Sequence, residues 1–204
     1  MLYVAFESIE GAGKTTVLMK LRELFKEAVF VREPGGTPTA ERIRSIAIGA
    51  NANDEPLEPE TELMMFMGAR VELLRKVVRP ALDSGKLVFS DRSYYTTLAY
   101  QGQATHGLAV GLVKSVIRPI ASPDLVIYLD VDVATSRQRV SGRVALDKIE
   151  QRNDAFFEAA RQRYLKNCQV LPNKHIRVDA TQSPEQVLAD VLKALAAVGV
   201  DIPA

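Results

Sequence analysis

The chain has 204 residues, enough for one medium-sized domain with a full hydrophobic core. Hydrophobic residues make up 47% and charged residues 25%, an ordinary globular composition that excludes disorder over the whole length. The net charge of +1 argues against a broadly basic nucleic-acid surface, and no stretch approaches the roughly 20 apolar residues of a membrane span. We expect a protein that contacts neither nucleic acid nor membrane.

The sequence has a single cysteine, Cys168, which cannot form an internal disulfide bond. A chain without disulfides suits a reducing compartment. The apolar N-terminus has no basic segment and is interrupted by Glu7, so it does not resemble a signal peptide. We therefore expect a cytoplasmic protein in which Cys168 is a small apolar residue on a helix.

Short apolar runs alternate with segments of helical periodicity along the chain. Each run is rich in Val, Ile, Leu or aromatic residues, and several lack polar alternation, as expected for parallel strands covered on both faces: residues 3–6, 29–31, 87–90, 125–129 and 176–178. The predicted helices are residues 14–28, 60–82, 110–117, a stretch near 149–167, and 184–197. Strands separated by helices form βαβ units with right-handed crossovers. We predict an α/β fold, a three-layer sandwich around a five-stranded parallel sheet.

No linker rich in proline, glycine or serine divides the chain, so we predict a single domain over residues 1–204. Two polar segments are expected to be mobile attachments. One is residues 48–56, before a helix, and the other is the basic turn 137–143. By composition alone, a basic turn is most often a solvated surface.

Residues 8–15, Ser-Ile-Glu-Gly-Ala-Gly-Lys-Thr, join the first predicted strand to the first predicted helix. They match the phosphate-loop fingerprint G-x-x-x-x-G-K-[ST] except that Ser8 replaces the first glycine, which is tolerable if its φ is negative. Backbone N–H groups and the positive helix end bind phosphate oxygens in such loops. Lys14 is expected to reach the β- and γ-phosphates, and the Thr15 hydroxyl to ligate Mg²⁺. The predicted ATP-binding residues are Ser8, Ile9, Glu10, Gly11, Ala12, Gly13, Lys14, Thr15 and Thr16.

Charged residues follow two other predicted strands. Asp91 and Arg92 come directly after the run 87–90, where a carboxylate beside the phosphate loop can organise Mg²⁺. Arg32 begins the run Arg-Glu-Pro-Gly-Gly-Thr, whose turn exposes it at the same sheet edge. Arginine forks suit phosphate, and phosphoryl transfer needs alignment and charge neutralisation more than covalent help. The sequence indicates a phosphotransferase.

These segments together resemble the thymidylate kinase family of P-loop kinases, whose members phosphorylate dTMP with ATP to give dTDP. The resemblance spans nearly the whole chain. It rests on Phe6-Glu7, residues 10–16, residues 32–37, residues 62–70, Asp91-Arg92-Ser93 and residues 99–102. Residues 32–37 are the most diagnostic, because a generic phosphate-loop protein has no reason to carry them.

The resemblance implies roles for individual residues. Phe66 stacks on the thymine ring, although the apolar run around it by itself favours a core position, and Arg70 bonds the edge of the base. Tyr100 lies beneath the deoxyribose and crowds a 2′-hydroxyl. The implied dTMP-binding set is Arg32, Phe66, Arg70, Arg92, Thr97 and Tyr100, in which Arg32 and Arg92 hold the acceptor phosphate. The implied catalytic set is Lys14, Arg92, Arg143, Arg139 and Glu10, with Thr15 and Asp91 as metal ligands.

The family also implies a lid at about residues 137–150. Some members carry their catalytic arginine in the phosphate loop and others in the lid, and this chain has none in the loop. It resembles the bacterial lid-arginine type, with Arg143 as first choice for the γ-phosphate and Arg139 as second. Less closely aligned positions place Asp147, Glu150 and Gln151 where the lid returns to the acceptor, and residues 179–181 beside adenine.

Three residues depart from the family pattern: Ser8, Ser93, where Tyr or His is usual, and Thr97, where a polar amide is frequent. They leave open a kinase of dUMP or modified pyrimidines beside a dTMP kinase. A non-catalytic phosphate-loop regulator is a third reading, although the guanine signature Asn-Lys-x-Asp is missing from the sequence. The family is commonly homodimeric, and the helix predicted at 60–82 suits either a dimer face or the internal core.

Overall fold

Strands and helices alternate along the residues that the computed structural model describes, which are 2–49, 56–141, 149 and 151–203. In chain order they are β1 (Tyr3–Glu7), α1 (Lys14–Leu24), β2 (Val29–Arg32), α2 (Pro38–Ala47), α3 (Pro59–Leu73), α4 (Arg79–Asp83), β3 (Val88–Asp91), α5 (Tyr94–Ala99), α6 (Gly102–Leu112), β4 (Leu125–Asp130), α7 (Val133–Val140), α8 (Asp154–Val170), β5 (Lys174–Asp179) and α9 (Pro184–Ala196). Two π-helical turns, Leu74–Val78 and Val113–Ile117, continue α3 and α6.

The five strands form one parallel sheet in the order β2-β3-β1-β4-β5, which confirms the predicted fold class. Every residue of β1 and β4 is buried, because these apolar strands are covered on both faces. In the register, Asp91 of β3 lies beside Phe6 of β1 on one side and Arg32 of β2 on the other. The ends of three strands therefore meet at one edge of the sheet.

The chain reverses its direction across the sheet after β2, so the connections that leave the neighbouring strands β1 and β3 run in opposite directions. From β1 it crosses leftward to β2, and from β2 onward every crossover runs the other way. With right-handed crossovers, α1 lies on one face of the sheet and the helices between β2 and β5 lie on the other. Ligands of open parallel sheets bind outside the carboxyl ends of the strands at such a reversal. The loops after β1 and β3 are therefore the expected position of a ligand.

Several helices differ from their predicted bounds. The helix predicted at 60–82 is α3 followed by a π-helical turn and α4; the wider turn directly precedes Pro80, which cannot donate a backbone hydrogen bond. The helix predicted from 149 begins at Asp154, because the Asn153 side chain accepts from the N–H of Phe156 at 2.9 Å. Residues 137–140, predicted as part of a turn, form the last turn of α7.

Short helices were the elements that periodicity did not reveal. Helices α2 and α5 begin after Thr37 and Ser93, whose hydroxyls accept from backbone N–H groups of the first turn. Helix α7 is capped in the same way by Asp132. Within the described part of the chain, no helix combines the length and apolar character that crossing a membrane requires.

Candidate active site

A cavity of about 380 Å³ opens at the carboxyl edge of the sheet, beside the ends of β1 and β3, whose outgoing connections run in opposite directions. Its walls come from the loops after β1, β2 and β3 and from α3 and α5. Most residues proposed from the sequence line it: Ser8, Ile9, Glu10, Gly11, Ala12, Gly13, Lys14, Thr15, Thr16, Arg32, Phe66, Asp91, Arg92, Thr97 and Tyr100. The fold brings together residues that are as far apart in sequence as Ser8 and Tyr100.

The phosphate loop uses left-handed backbone only at its glycines. Gly11 and Gly13 have φ of 75° and 81°, and among the described residues Arg92 is the only non-glycine residue with a positive φ. Ser8 therefore has the negative φ that lets it replace glycine, and its side chain is buried. The loop also contacts α7, because the Ser136 hydroxyl donates to the Glu10 carbonyl at 2.8 Å. Sequence patterns contained no signal for Ser136.

A Gly11→Ala substitution should destabilise the protein more than Gly13→Ala. Both positions have positive φ, which costs an L-residue about 1–2 kcal/mol. A Cβ at Gly11 would also lie 2.7 Å from the Ser136 carbonyl oxygen, whereas nothing lies within 4 Å of one at Gly13. We expect the free energy of unfolding in urea to fall by about 1–3 kcal/mol more for Gly11→Ala. Equal losses would show that α7 does not press on the loop.

Lys14 and Asp91 form an ion pair at the cavity wall, with side chains 10% and 22% exposed. Burial lowers the pKa of Lys14, and the charge of Arg92 lowers it further, against the attraction of Asp91. Burial would raise the pKa of Asp91, but the charges of Lys14 and Arg92 outweigh it and lower that pKa overall. Asp91 is thus held as a carboxylate beside the phosphate loop.

Arg92 is anchored over the phosphate loop by Glu10. Its Nη2 lies 2.6 Å from Glu10 Oε1, and the Tyr100 hydroxyl donates to the other Glu10 oxygen at 2.6 Å. The guanidinium centre is 5.4 Å from the centre of the Tyr100 ring, within cation–π range. The backbone of Arg92 has φ of 73°, which is strained for any residue other than glycine. Strained backbone of this kind is concentrated at functional sites. Predicted catalytic and substrate residues therefore form one connected cluster.

Arg32 is paired with Glu41, a residue that no sequence motif singled out. One nitrogen of Arg32, Nη2, lies 2.9 and 2.8 Å from the two Glu41 oxygens, and Glu41 also accepts from the Gly36 N–H at 2.7 Å. The Arg32 side chain is 48% exposed at the cavity mouth. Glu41 therefore holds the Arg32 guanidinium at the mouth of the cavity.

Phe66 and Arg70 occupy different depths of α3. Phe66 lines the cavity, whereas Arg70 has no exposed surface and lies behind it. Arg70 donates to Glu33 at 2.7 Å, to the Thr97 hydroxyl at 2.8 Å and to the Ser93 carbonyl at 3.0 Å. Glu33, in turn, accepts from the hydroxyl of buried Tyr3. The cavity wall at this point consists of Phe66 and Thr97, with Arg70 fixed beneath them.

Arg139 lies in a second crevice, of about 300 Å³, on the other side of the phosphate loop. From α7 it donates to the carbonyls of Ala180 at 2.7 Å and Gly11 at 3.3 Å. Gly13 and Gln182 are among the other lining residues, so the turn at 179–181 borders this crevice. Arg143, Asp147 and Glu150 lie outside the described residues.

Cys168 lies on α8, as the sequence suggested, and is half-buried. Burial raises the pKa of its thiol to about 12, with smaller contributions from Glu7 and Asp130. Because the thiolate is the reactive form, alkylation by iodoacetamide at neutral pH should be on the order of 10³-fold slower than in denaturant. Similar rates in the two conditions would show an accessible thiol.

The fold and the site define a P-loop kinase: a parallel sheet whose phosphate loop shares a cavity with arginines from two neighbouring strand ends. The family model described as Thymidylate kinase matches residues 6–191. The chain is 39% identical over 198 residues to the thymidylate kinase of Acinetobacter baylyi, covering 94% of this chain and 97% of that protein. It is 38% identical over 201 residues to that of Acinetobacter baumannii (96% and 100%) and 39% over 197 residues to that of Pseudomonas putida (93% and 92%). The chain belongs to the thymidylate kinase family.

Proposed function

We propose that this chain transfers the γ-phosphoryl group of ATP to dTMP, giving dTDP. The observation that carries the proposal is the single cavity into which both the phosphate loop and the arginines after β2 and β3 open. A phosphoryl donor and a phosphorylated acceptor bound there would face each other, which is the main requirement of in-line transfer. Because the chain belongs to the thymidylate kinase family, we assign thymine as the base of the acceptor.

On the donor side, backbone N–H groups of the loop bind the ATP phosphates, together with the positive N-terminus of α1. Lys14 neutralises charge on the β- and γ-phosphates. The turn at residues 179–181 and Arg139 border the adenine, since they form the crevice on the far side of the loop. The loop thus separates a site for the base from the cavity in which transfer takes place.

We also propose Mg²⁺ as the metal partner of ATP, held by the Thr15 hydroxyl and the Asp91 carboxylate. Both residues line the cavity, and their hard oxygen donors fit this ion, which takes its remaining ligands from phosphates and water. The lowered pKa of Asp91 keeps this donor ionised. When bound, Mg²⁺ supplies positive charge to the phosphate oxygens.

On the acceptor side, Arg32 and Arg92 hold the phosphate of dTMP, Phe66 stacks on thymine, and Tyr100 lies under the sugar. Arg92 is already oriented by Glu10 and Tyr100, so little ordering remains when the phosphate binds. Arg70, which donates to Glu33 and Thr97 beneath Phe66, supports this wall of the base site from behind. Glu10, which pairs with Arg92, lies beside the acceptor sugar.

The lid, at about residues 137–150, is proposed to close over the phosphates and bring Arg143 to the γ-phosphate. Helix α7 supports this, because it carries Arg139 and contacts the phosphate loop through Ser136. Closure would exclude water from the transferring group. We place the protein in the cytoplasm, where its ATP and dTMP are available.

We further propose a homodimer, in which α2 and α3 provide the contact. The outer surfaces of these helices form an apolar groove lined by Ile43, Ile46, Met64, Met65 and Gly68. Ile46 and Met64 are 45% and 52% exposed, unusually high for large apolar side chains. Sedimentation should give twice the chain mass of 22.4 kDa. A species of single-chain mass at micromolar concentration would contradict the dimer.

A coupled assay with ATP and Mg²⁺ tests the proposed reaction against a panel of acceptors: dTMP, dUMP, dCMP and dGMP. Turnover of dTMP far above the others supports the proposal. Comparable turnover of dUMP would instead support the broader pyrimidine kinase that Ser93 and Thr97 leave open. No turnover with any acceptor would favour a nucleotide-binding regulator.

A further inference from the structure

Glu7 is a fully buried carboxylate that lies next to the phosphate loop and has no role in the mechanism above. It ends β1, one residue before Ser8. Its two oxygens accept hydrogen bonds from Ser93 Oγ at 2.6 Å and from Thr96 Oγ1 at 2.7 Å. Both donors belong to the segment that directly follows Arg92. We propose that Glu7 is a positioning residue for Arg92, which it holds through the hydroxyls of Ser93 and Thr96.

The contacts of Glu7 hold the backbone of Arg92 in place. Its left-handed conformation persists only if neighbouring contacts enforce it. On its N-terminal side, the N–H of Arg92 donates to the Phe6 carbonyl at 2.9 Å. After it, Ser93 is pinned to Glu7 and at the same time accepts from the Tyr95 N–H at 3.3 Å, so it begins α5. The chain is therefore fixed to β1 on both sides of Arg92.

The contacts of Glu7 also hold the guanidinium of Arg92, through Thr96. Thr96 Oγ1 lies 3.2 Å from Arg92 Nη1 and 2.7 Å from the Tyr164 hydroxyl, which is itself 3.3 Å from the same nitrogen. A hydroxyl has one proton and two lone pairs. Since Thr96 gives its proton to Glu7, both lone pairs remain to accept from Arg92 and Tyr164. The carboxylate thus sets the direction of the Thr96 hydrogen bonds, whereas the bond from Arg92 Nη1 to the Ser8 carbonyl, at 3.2 Å, does not depend on it.

Charge acts in the same sense as geometry. Burial raises the pKa of Glu7, while the two hydroxyl donors and the positive charges of Arg92 and Lys14 oppose that rise. A carboxylate here adds to Asp91 and Glu10 in offsetting the charges of Lys14 and Arg92 beside the loop. The arrangement also accounts for Ser93, one of the three departures from the family pattern, because its small hydroxyl fits a fully buried position between Glu7 and α5.

The inference rests on the proposed role of Arg92 in holding the acceptor phosphate, and the test separates the two. Thr96→Val removes the hydroxyl with little change of shape, and Thr96→Ser retains it as the matched control. Calorimetry measures the dissociation constants of dTMP and of thymidine, which lacks the phosphate. We expect Thr96→Val to weaken dTMP binding about tenfold, the size of one hydrogen bond to a charged group, with thymidine binding unchanged. Thr96→Ser should bind dTMP nearly as the parent does.

The same measurement in an Arg92→Ala background shows whether Thr96 acts through Arg92, since the Thr96→Val effect should then vanish. Unchanged thymidine binding serves as the folding control, and Ser93→Ala is the second variant if Thr96→Val does not fold. If Arg92→Ala weakened dTMP binding while Thr96→Val and Ser93→Ala left it at the parent level, the inference about Glu7 would be overturned. The proposed role of Arg92 would still stand. Equal weakening of thymidine and dTMP would overturn it too. If Arg92→Ala bound dTMP normally, the proposed role of Arg92 would fail first.

Discussion

Arg143→Ala should lower kcat on the order of 10³-fold, while Arg139→Ala should lower it by roughly tenfold at most. The phosphate loop contains no arginine, so the charge that develops on the transferred group needs a guanidinium from elsewhere. Arg139 donates to the Ala180 and Gly11 carbonyls in the crevice beyond the loop. Because Arg139 already donates to these carbonyls, we expect Arg143 rather than Arg139 to serve the transition state.

Steady-state rates at saturating ATP and dTMP test this, with single-turnover rates to isolate the chemical step. Arg143→Lys is the matched control: it keeps the charge but loses the planar fork, so it should recover only part of the rate. Arg139→Ala should act mainly through a raised KM for ATP, because it removes part of the adenine crevice. If both alanine variants turned over near the parent rate, the lid-arginine assignment would be wrong.

The sheet was predictable because the chemistry of its strands is simple. Buried parallel strands need apolar runs, and the five runs in the sequence became the five strands, although the edge strand β5 is partly exposed and contains Arg177. Short helices were missed because α2 and α5 depend on single capping hydroxyls, Thr37 and Ser93, and are too brief to show a period. The capping residues at which these helices begin are present in the sequence, but isolated Ser and Thr residues are also common in loops.

Residues of the site that face the cavity were predictable from motif and strand order. The Lys14–Asp91 pair, for example, follows from two neighbouring parallel strands ending together. The supporting residues were not predictable, because their roles depend on contacts between segments far apart in sequence. Glu33 under Arg70 and Ser136 against the phosphate loop are such cases, separated by 37 and 126 positions from their partners. Nothing in the local sequence of either distinguishes a supporting contact from ordinary packing.

Lys14→Met should lower kcat by on the order of 10²–10³-fold, the loss typical of removing one donor from a developing charge. The methionine keeps most of the stem volume of the 10% exposed lysine, so the fold should survive. Without the cation, the Asp91 carboxylate loses its ion-pair partner beside the ATP phosphates, and we expect ATP binding to weaken as well. The chemical step and the binding step should therefore both suffer.

Lys20→Met is the matched control, since Lys20 lies on the same helix but its side chain is 54% exposed and paired only with Glu23 at the surface. It should keep the parent kcat within about twofold, because exposed ion pairs contribute little. Calorimetry with ATP separates binding from chemistry in both variants. A Lys14→Met enzyme with parental kcat and a raised KM for ATP would mean that Lys14 binds substrate and transition state equally. The phosphate loop would then be a docking site, and the charge on the transferred group would be met by the arginines alone.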